Sequence, residues 1–127
     1  MKLLYIFIGG GLGSVLRYLV SGYAQRMFDA TFPFGTLAVN LIGSLAIGLA
    51  WGAFEKENIG SGLRSFLFIG LFGGFTTFST FTNESFGLLR DGNMKFFLLN
   101  IGVSNIIGVL LVYLGYVMAR ALFTLYK

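Results

Sequence analysis

The sequence predicts an all-α integral membrane protein, a bundle of four spanning helices with a break in the third. Three observations carry that expectation. The chain is 56% hydrophobic and only 11% charged, where a soluble domain carries roughly 25% charged residues. Four apolar stretches reach the length of about 20 residues that a helix needs to cross the hydrocarbon core. The third stretch contains Gly73-Gly74-Phe75-Thr76-Thr77-Phe78-Ser79-Thr80-Phe81, with two glycines and four hydroxyl residues. Glycine weakens a helix, and Ser and Thr offer its backbone competing hydrogen bonds. A broken helix at membrane depth is tolerated only where it is buried in protein or lines a watery cavity. This stretch is therefore a candidate ion or substrate site.

Taken in order, the first span covers residues 3–24 and is interrupted only by Arg17. Lys2 and the apolar run behind it mimic a cleaved leader. The run continues past Arg17 to Leu19-Val20 and three more spans follow, so it is read as a retained helix. The second span, 34–54, has no charge. The third, 65–89, has one, Glu84. The fourth, 96–119, again has none. The connections are short: 25–33 with Arg26, Asp29 and Pro33; 55–64 with Glu55, Lys56, Glu57 and two glycines; and a tight turn at 90–93. None is long enough for a second domain, so residues 1–127 are expected to form one four-span channel domain.

The composition removes whole classes of function. With no cysteine and no histidine, disulfides, thiolate metal sites, His–carboxylate metal sites and Ser–His–Asp chemistry are excluded. Five acids remain, and Asp29, Glu55, Glu57 and Asp91 fall in expected loops. An enzyme can hardly be assembled from them. The net charge of +4 comes from singly scattered bases, not the cluster a nucleic-acid patch needs. The run Gly9-Gly10-Gly11-Leu12-Gly13-Ser14 is no dinucleotide loop, since Leu16 stands where a third glycine is needed and no strand precedes it.

An even number of spans puts both termini on one side. That side collects Lys2, Lys56, Arg64, Arg120 and Lys127, against Arg26, Arg90 and Lys95 on the other. Five against three is a weak bias under the positive-inside rule, which permits insertion in both directions. Glycines recur at four-residue spacing: Gly9 and Gly13, Gly48 and Gly52, Gly70 and Gly74, with Ser104 and Gly108 repeating the pattern. Small residues let membrane helices approach closely. They read as packing devices for a tight bundle and for an oligomer, since four helices alone enclose little space.

Polar groups at membrane depth are the remaining candidates. Arg17 lies about two thirds along its span; it either snorkels to the interface or places a cation at a vestibule, at an insertion cost of roughly 2.5 to 3.5 kcal/mol. Asn40 either makes an interhelical hydrogen bond or offers its amide to an anion. Glu84 is the only acid in a span, which makes it a functional hypothesis by default. Asn100, Ser104 and Asn105 place further polar groups on the fourth span, where Asn100, Ser104 and Gly108 share one face, as a water-lined track would. Most of the 15 phenylalanines read as lipid-facing or core filler. Phe78 and Phe81 differ, because three-residue spacing aims both at the polar stretch, and the positive edge of an aromatic ring can face an anion.

These residues resemble the Fluc family of fluoride channels, also called CrcB-like proteins. The likeness covers the whole chain and rests on Gly13 to Arg17-Tyr18, on Gly35-Thr36-Leu37 to Val39-Asn40, and on Gly73 through Phe81 followed by Glu84. It implies a dual-topology antiparallel homodimer with two fluoride pores, in the cytoplasmic (inner) membrane of a bacterium or archaeon, passively exporting fluoride. By resemblance, the fluoride pathway is Asn40, Phe78, Phe81, Ser79, Thr80 and Ser104; Arg17 is the vestibule arginine and Glu84 a carboxylate at one pore end. A structural sodium ion at the dimer interface would be held by backbone carbonyls, which by position are those of Gly73 and Thr76. The family's fourth-helix track often begins with Tyr and continues with Ser or Thr. Here Asn100 stands in the first place, and Gly108 offers no side-chain donor. The implied partners are fluoride, a second copy and the bilayer, with no nucleic acid. The alternative is a small four-helix proton-coupled multidrug exporter. That class needs a carboxylate that trades protons, usually in the first helix, where this chain has Arg17.

Overall fold

The computed structural model describes residues 1–125; Lys127, counted above with the termini, lies outside the described residues. Within them are four helical spans long and apolar enough to cross a membrane, and the chain is a multi-pass membrane protein. Helices α1 (Lys2–Phe28) and α2 (Phe34–Phe54) are continuous. The third span, Ser61–Arg90, is composite. It runs through α3 (Ser61–Arg64), a π-helical segment (Ser65–Leu71) and α4 (Phe72–Phe75). It then breaks at Thr76 and Thr77, both extended, and resumes as α5 (Phe78–Arg90). The fourth span joins α6 (Met94–Gly102) through a second π-helical segment (Val103–Ile107) to α7 (Gly108–Leu125).

The helices overrun the apolar limits expected from sequence. Gln25 to Phe28 continue α1 because nothing in them stops a helix; Asp29 does, in the left-handed conformation at φ 36°. Gly60, extended, opens the third span four residues earlier than expected. Polar side chains then tie the connections down. Gln25 donates from Nε2 to the carbonyls of Ala30 (2.9 Å) and Phe32 (3.2 Å), and accepts from the N–H of Gly35 (3.0 Å). That N–H is one of the unpaired donors of the first turn of α2. Phe32, buried beneath this loop, meets the ring of Phe34 at 4.9 Å and that of Phe96 at 5.7 Å. At the far end of α2, Tyr116 donates to Glu55 Oε2 at 2.8 Å, and Arg120 approaches the same oxygen at 3.9 Å.

Apolar surface exposed to lipid tails is not penalised, so helix association rests on close packing and hydrogen bonds. The glycines supply the first. Two faces carry the bundle: α1 against the π-helical segment and α4, and α2 against α7. On the first face, a Cβ added to Gly70 would lie 2.9 Å from Gly9 Cα, and one on Gly74 would lie 3.1 Å from Gly10 Cα. One on Gly13 would stand 2.8 Å from the backbone nitrogen of Phe75. On the second face, Gly52 meets the backbone of Tyr116, and Gly115 that of Leu45 and Leu49. The glycine pairs on α1 and on the third span are thus two halves of one seam. Gly108 takes no part in such a contact, with Ser44 Oγ at an ordinary 3.5 Å.

Because the atoms opposite Gly70 are backbone, its neighbour cannot yield by changing rotamer. Gly70→Val is expected to destabilise the bundle by about 1–3 kcal/mol, the usual cost of overpacking. Gly11→Val, where a Cβ meets nothing within 4 Å, serves as the control. Thermal unfolding in detergent, followed by loss of the monodisperse chromatographic peak, separates the two; equal midpoints would show that the seam tolerates separation.

Candidate functional site

The break in the third span releases backbone groups that a continuous helix would pair. Thr77 is the pivot. In an unbroken helix its N–H would reach the carbonyl of Gly73. Here it donates instead to Asn40 Oδ1 at 2.8 Å, while Asn40 Nδ2 donates to the Thr77 carbonyl at 3.0 Å. The side-chain amide therefore pairs with both polar groups of one extended residue, as a neighbouring strand would. Thr77 also caps α5: its Oγ1 accepts from the N–H of Thr80 at 3.3 Å and donates to Thr80 Oγ1 at 3.0 Å. That diverts the donor the Thr76 carbonyl would have had. Thr76 in turn folds its hydroxyl back onto the carbonyl of Phe72 at 2.9 Å.

Beside the break lies a cavity of about 340 Å³. Asn40, Ser44, Gly73, Thr76, Thr77, Phe78, Phe81, Ser104 and Asn105 line it, together with Phe68 and Phe72. Its walls combine amides, hydroxyls and ring surfaces and carry no formal charge. The second N–H of the Asn40 amide has no partner among the described residues. Phe78 and Phe81 stand with centroids 5.9 Å apart and planes at 46°. Phe81 is buried, at 8% exposure, whereas Phe78 is 75% exposed.

The expected site residues divide accordingly. Asn40, Phe78, Phe81, Ser104, Gly73 and Thr76 come together at the cavity. Ser79 and Thr80 are exposed on other faces of α5; Thr80 serves the cap, and the carbonyl of Ser79 accepts from Thr82 Oγ1. Arg17 does not snorkel. It reaches from α1 to the break, where Nη1 donates to the Thr76 carbonyl at 3.3 Å. Glu84 faces a different space, a polar cavity of about 350 Å³ bordered by Gln25, Thr31, Thr36 and Asp91. Its Oε1 accepts from Thr36 Oγ1 at 2.8 Å, and its Oε2 is buried without a partner among the described residues. Asn100 is not on the cavity wall; it is buried beneath it, at 1% exposure.

The sequence gives no sign of Ser44, and it marks Thr77 only as part of the polar stretch and Asn105 only as a polar group of the fourth span, with no role for either. Thr77 had a signal: a hydroxyl residue immediately before a helix restart is a favoured N-cap. Ser44 stands one turn beyond Asn40 and donates to its carbonyl at 2.8 Å. Asn105 enters the cavity because the π-helical turn at Val103–Ile107 rotates it there, and nothing in the local sequence announces that turn.

Fold and site together define a four-span membrane protein whose interrupted helix lines a neutral, polar-and-aromatic cavity. The chain belongs to the CrcB family: residues 4–116 match the family described as CrcB-like protein, Camphor Resistance (CrcB). Among its relatives is a fluoride-specific ion channel FluC from Parabacteroides distasonis, 46% identical over 127 residues and covering 100% of this chain and 99% of that one. Another, from Bacteroides fragilis, is 47% identical over 117 residues, covering 90% and 92%. A third, from Maridesulfovibrio salexigens, is 44% identical over 120 residues, covering 94% and 95%. Membership places the chain outside the enzymes.

Replacing Asn40 with Leu would strand the N–H and the carbonyl of Thr77, which is itself buried. Each buried orphan costs about 1–3 kcal/mol. Asn40→Leu is thus expected to lower the unfolding midpoint in detergent clearly, whereas Ser44→Ala, which removes only a hydroxyl bonded within its own helix, should barely move it. A midpoint for Asn40→Leu equal to that of the parent would contradict the pivot described above.

Proposed function

We propose that the chain is a fluoride-selective channel that passively exports cytoplasmic fluoride, and that it works as an antiparallel homodimer with two pores. The observation that carries this reading is the neutral cavity at the break. Fluoride is small and strongly hydrated, so a pathway must replace its water with close donors and still let the ion leave. The second N–H of Asn40 and the ring edges of Phe78 and Phe81 are such donors; the Ser104 hydroxyl, which donates to Asn100 Oδ1 at 3.4 Å, joins them by turning its one proton into the cavity. Binding at a pore must be weak enough for release, and walls without a lysine or arginine meet that condition. Family membership and the channel names of the relatives support the same ion. Fluoride that enters a cell as neutral HF and dissociates there would be the cargo.

In this reading the residues act as follows. Asn40 and the Phe78–Phe81 pair form the neutral section of the pathway, and Ser104 adds a hydroxyl from the fourth span. Ser79 and Thr80, on outer faces of α5, would meet the path only where a second copy packs against it. Arg17 would raise the local anion concentration from behind the Thr76 carbonyl, and Glu84 would stand at the far end, in the cavity beside Thr36. The chain has one further requirement, a partner. Gly73 is exposed, and a Cβ there would meet nothing closer than 4.0 Å, which leaves room for a second copy at the break.

A structural sodium ion fits the donors at that position. The carbonyls of Gly73 and Thr76 have both lost their helical donors, and neutral oxygens suit a hard cation. No cluster of acidic, His or Cys side chains among the described residues offers an alternative. Two carbonyls from each of two copies would hold the ion, and its charge would add fixed positive potential beside the pathway. Arg17 uses one lone pair of the Thr76 carbonyl; a carbonyl oxygen has two.

Purified protein in liposomes loaded with fluoride should release it rapidly to a fluoride electrode, and chloride-loaded vesicles should hold their chloride. Retained fluoride with well-folded protein would sink the proposal. Phe78→Ile and Phe81→Ile should each cut the efflux rate by about tenfold or more, a barrier increase on the order of 1.4 kcal/mol, with assembly unchanged. Undiminished flux in both would remove the ring edges from the mechanism.

A further inference from the structure

Helix α5 carries Phe78 and Phe81, two of the four phenylalanines of the cavity, yet it is sparsely embraced by the bundle. It packs on α6 and only lightly on α2. Its buried residues are Phe81, Ser85 and Leu88, one turn apart along a single face. Such a narrow apolar seam fixes the height of a helix poorly and its roll about its own axis even less, because rotation only exchanges one greasy contact for another. Polar pins must set the roll. One is the Thr77 pairing at the first turn. Another is the bond from Thr36 to Glu84.

The third involves Asn100, which with Val39 is one of the two largest fully buried side chains. Its Nδ2 donates to Ser85 Oγ at 3.0 Å, and Ser85 Oγ donates to the carbonyl of Phe81 at 2.7 Å. On the other side, Ser104 Oγ donates to Asn100 Oδ1 at 3.4 Å. A continuous relay therefore runs from a hydroxyl on the cavity wall, through a buried amide, to the backbone of the residue whose ring forms the opposite wall. Deep in a membrane protein an amide has no water to fall back on, so this geometry has few competitors.

We propose that Asn100 and Ser85 are positioning residues for anion passage: the pin they form sets the roll of α5 and so aims the Phe81 ring into the cavity. Neither touches the ion. The proposal rests on the channel reading of the cavity, but the placement of the ring can be measured without any flux.

The deciding variant is Asn100→Leu. It fills the same space, Ser85 keeps its bond to the Phe81 carbonyl, and Ser104, which loses its acceptor, lies on the cavity wall where its hydroxyl can turn into the open space. Incorporating 4-fluorophenylalanine at position 81 gives a fluorine-19 resonance that reports the surroundings of the ring in detergent. In the parent it should be a single line; in Asn100→Leu it should move or broaden, with the chromatographic profile retained. Fluoride efflux from liposomes should fall by about tenfold in Asn100→Leu. The exchanged pair Ser85→Asn with Asn100→Ser, which rebuilds the pin in reverse, should recover it. A purely structural role would lower the melting temperature of Asn100→Leu and leave flux per folded protein untouched. An unmoved fluorine resonance overturns the proposal whether or not the parent conducts fluoride. Failure of the exchanged pair to restore flux, in a parent that does conduct, overturns it too. A parent that passes no fluoride indicts the channel reading alone, and the resonance still decides the pin.

Discussion

An extended residue in the middle of a membrane helix has an N–H and a carbonyl that cannot turn to water. Everything at the centre of this protein depends on how that demand is met at Thr77. A single side-chain amide, Asn40, answers both groups at 2.8 and 3.0 Å. Asn is the shortest side chain that carries a donor and an acceptor in the spacing of a peptide, and its position on α2 places it level with the break. Once Thr77 is held extended, the rest follows. The ladder of the third span is interrupted, α5 restarts under the Thr77 hydroxyl, and the carbonyls of Gly73 and Thr76 are set free. The ring of Phe78 begins a helix whose axis α4 no longer dictates.

Holding that amide in place requires helices whose backbones nearly touch. The α1 seam of Gly9, Gly10 and Gly13 against Gly70 and Gly74 brings the third span up to its break in contact with α1. On that side Arg17 comes within 3.3 Å of the Thr76 carbonyl. The second seam, of Gly48, Gly52 and Gly115, fixes α2 against α7 and so fixes the helix that carries Asn40. At the break itself the α2 backbone comes against Thr76 and Phe75 at Gly43. Glycine is abundant here for a mechanical reason: each helix must be close enough for a short polar side chain to span the gap.

Much of this was legible in the sequence. Apolar length and the scarcity of charge marked the four spans. The break announced itself because Gly-Gly followed by Thr-Thr contradicts its apolar surroundings, and the four-residue glycine spacing marked the faces of the seams. The π-helical turns at Ser65–Leu71 and Val103–Ile107 left no such mark, because they arise from packing and not from composition. Asn105, expected only as a polar group of the fourth span, lies on the cavity wall, and Asn100, expected on a water-lined face, does not join it. Helix ends were misjudged for a similar reason. Polar residues such as Gln25 and Arg26 end an apolar pattern without ending a helix, which only a conformational stop such as Asp29 does.

The distribution of charge around the break has its own logic. The cavity wall is neutral, but two ionisable side chains of the spans stand just outside it, Arg17 behind the Thr76 carbonyl and Glu84 in the separate space beside Thr36. A guanidinium within the cavity would attract a small anion strongly and also hold it. Two unit charges at 4 Å interact by about 4 kcal/mol even at an effective dielectric of 20. Arg17 is absent from the cavity wall and bound instead to the Thr76 carbonyl, an arrangement that keeps the long-range part of its field and gives up the contact. Tying it to a backbone carbonyl stops it from swinging forward. The Glu84 carboxyl, whose negative charge would oppose an anion, faces a separate cavity, held there by the Thr36 hydroxyl of α2. The cavity thus keeps a wall without formal charge, with the two ionisable groups of the spans engaged elsewhere, one by a carbonyl and one by a hydroxyl.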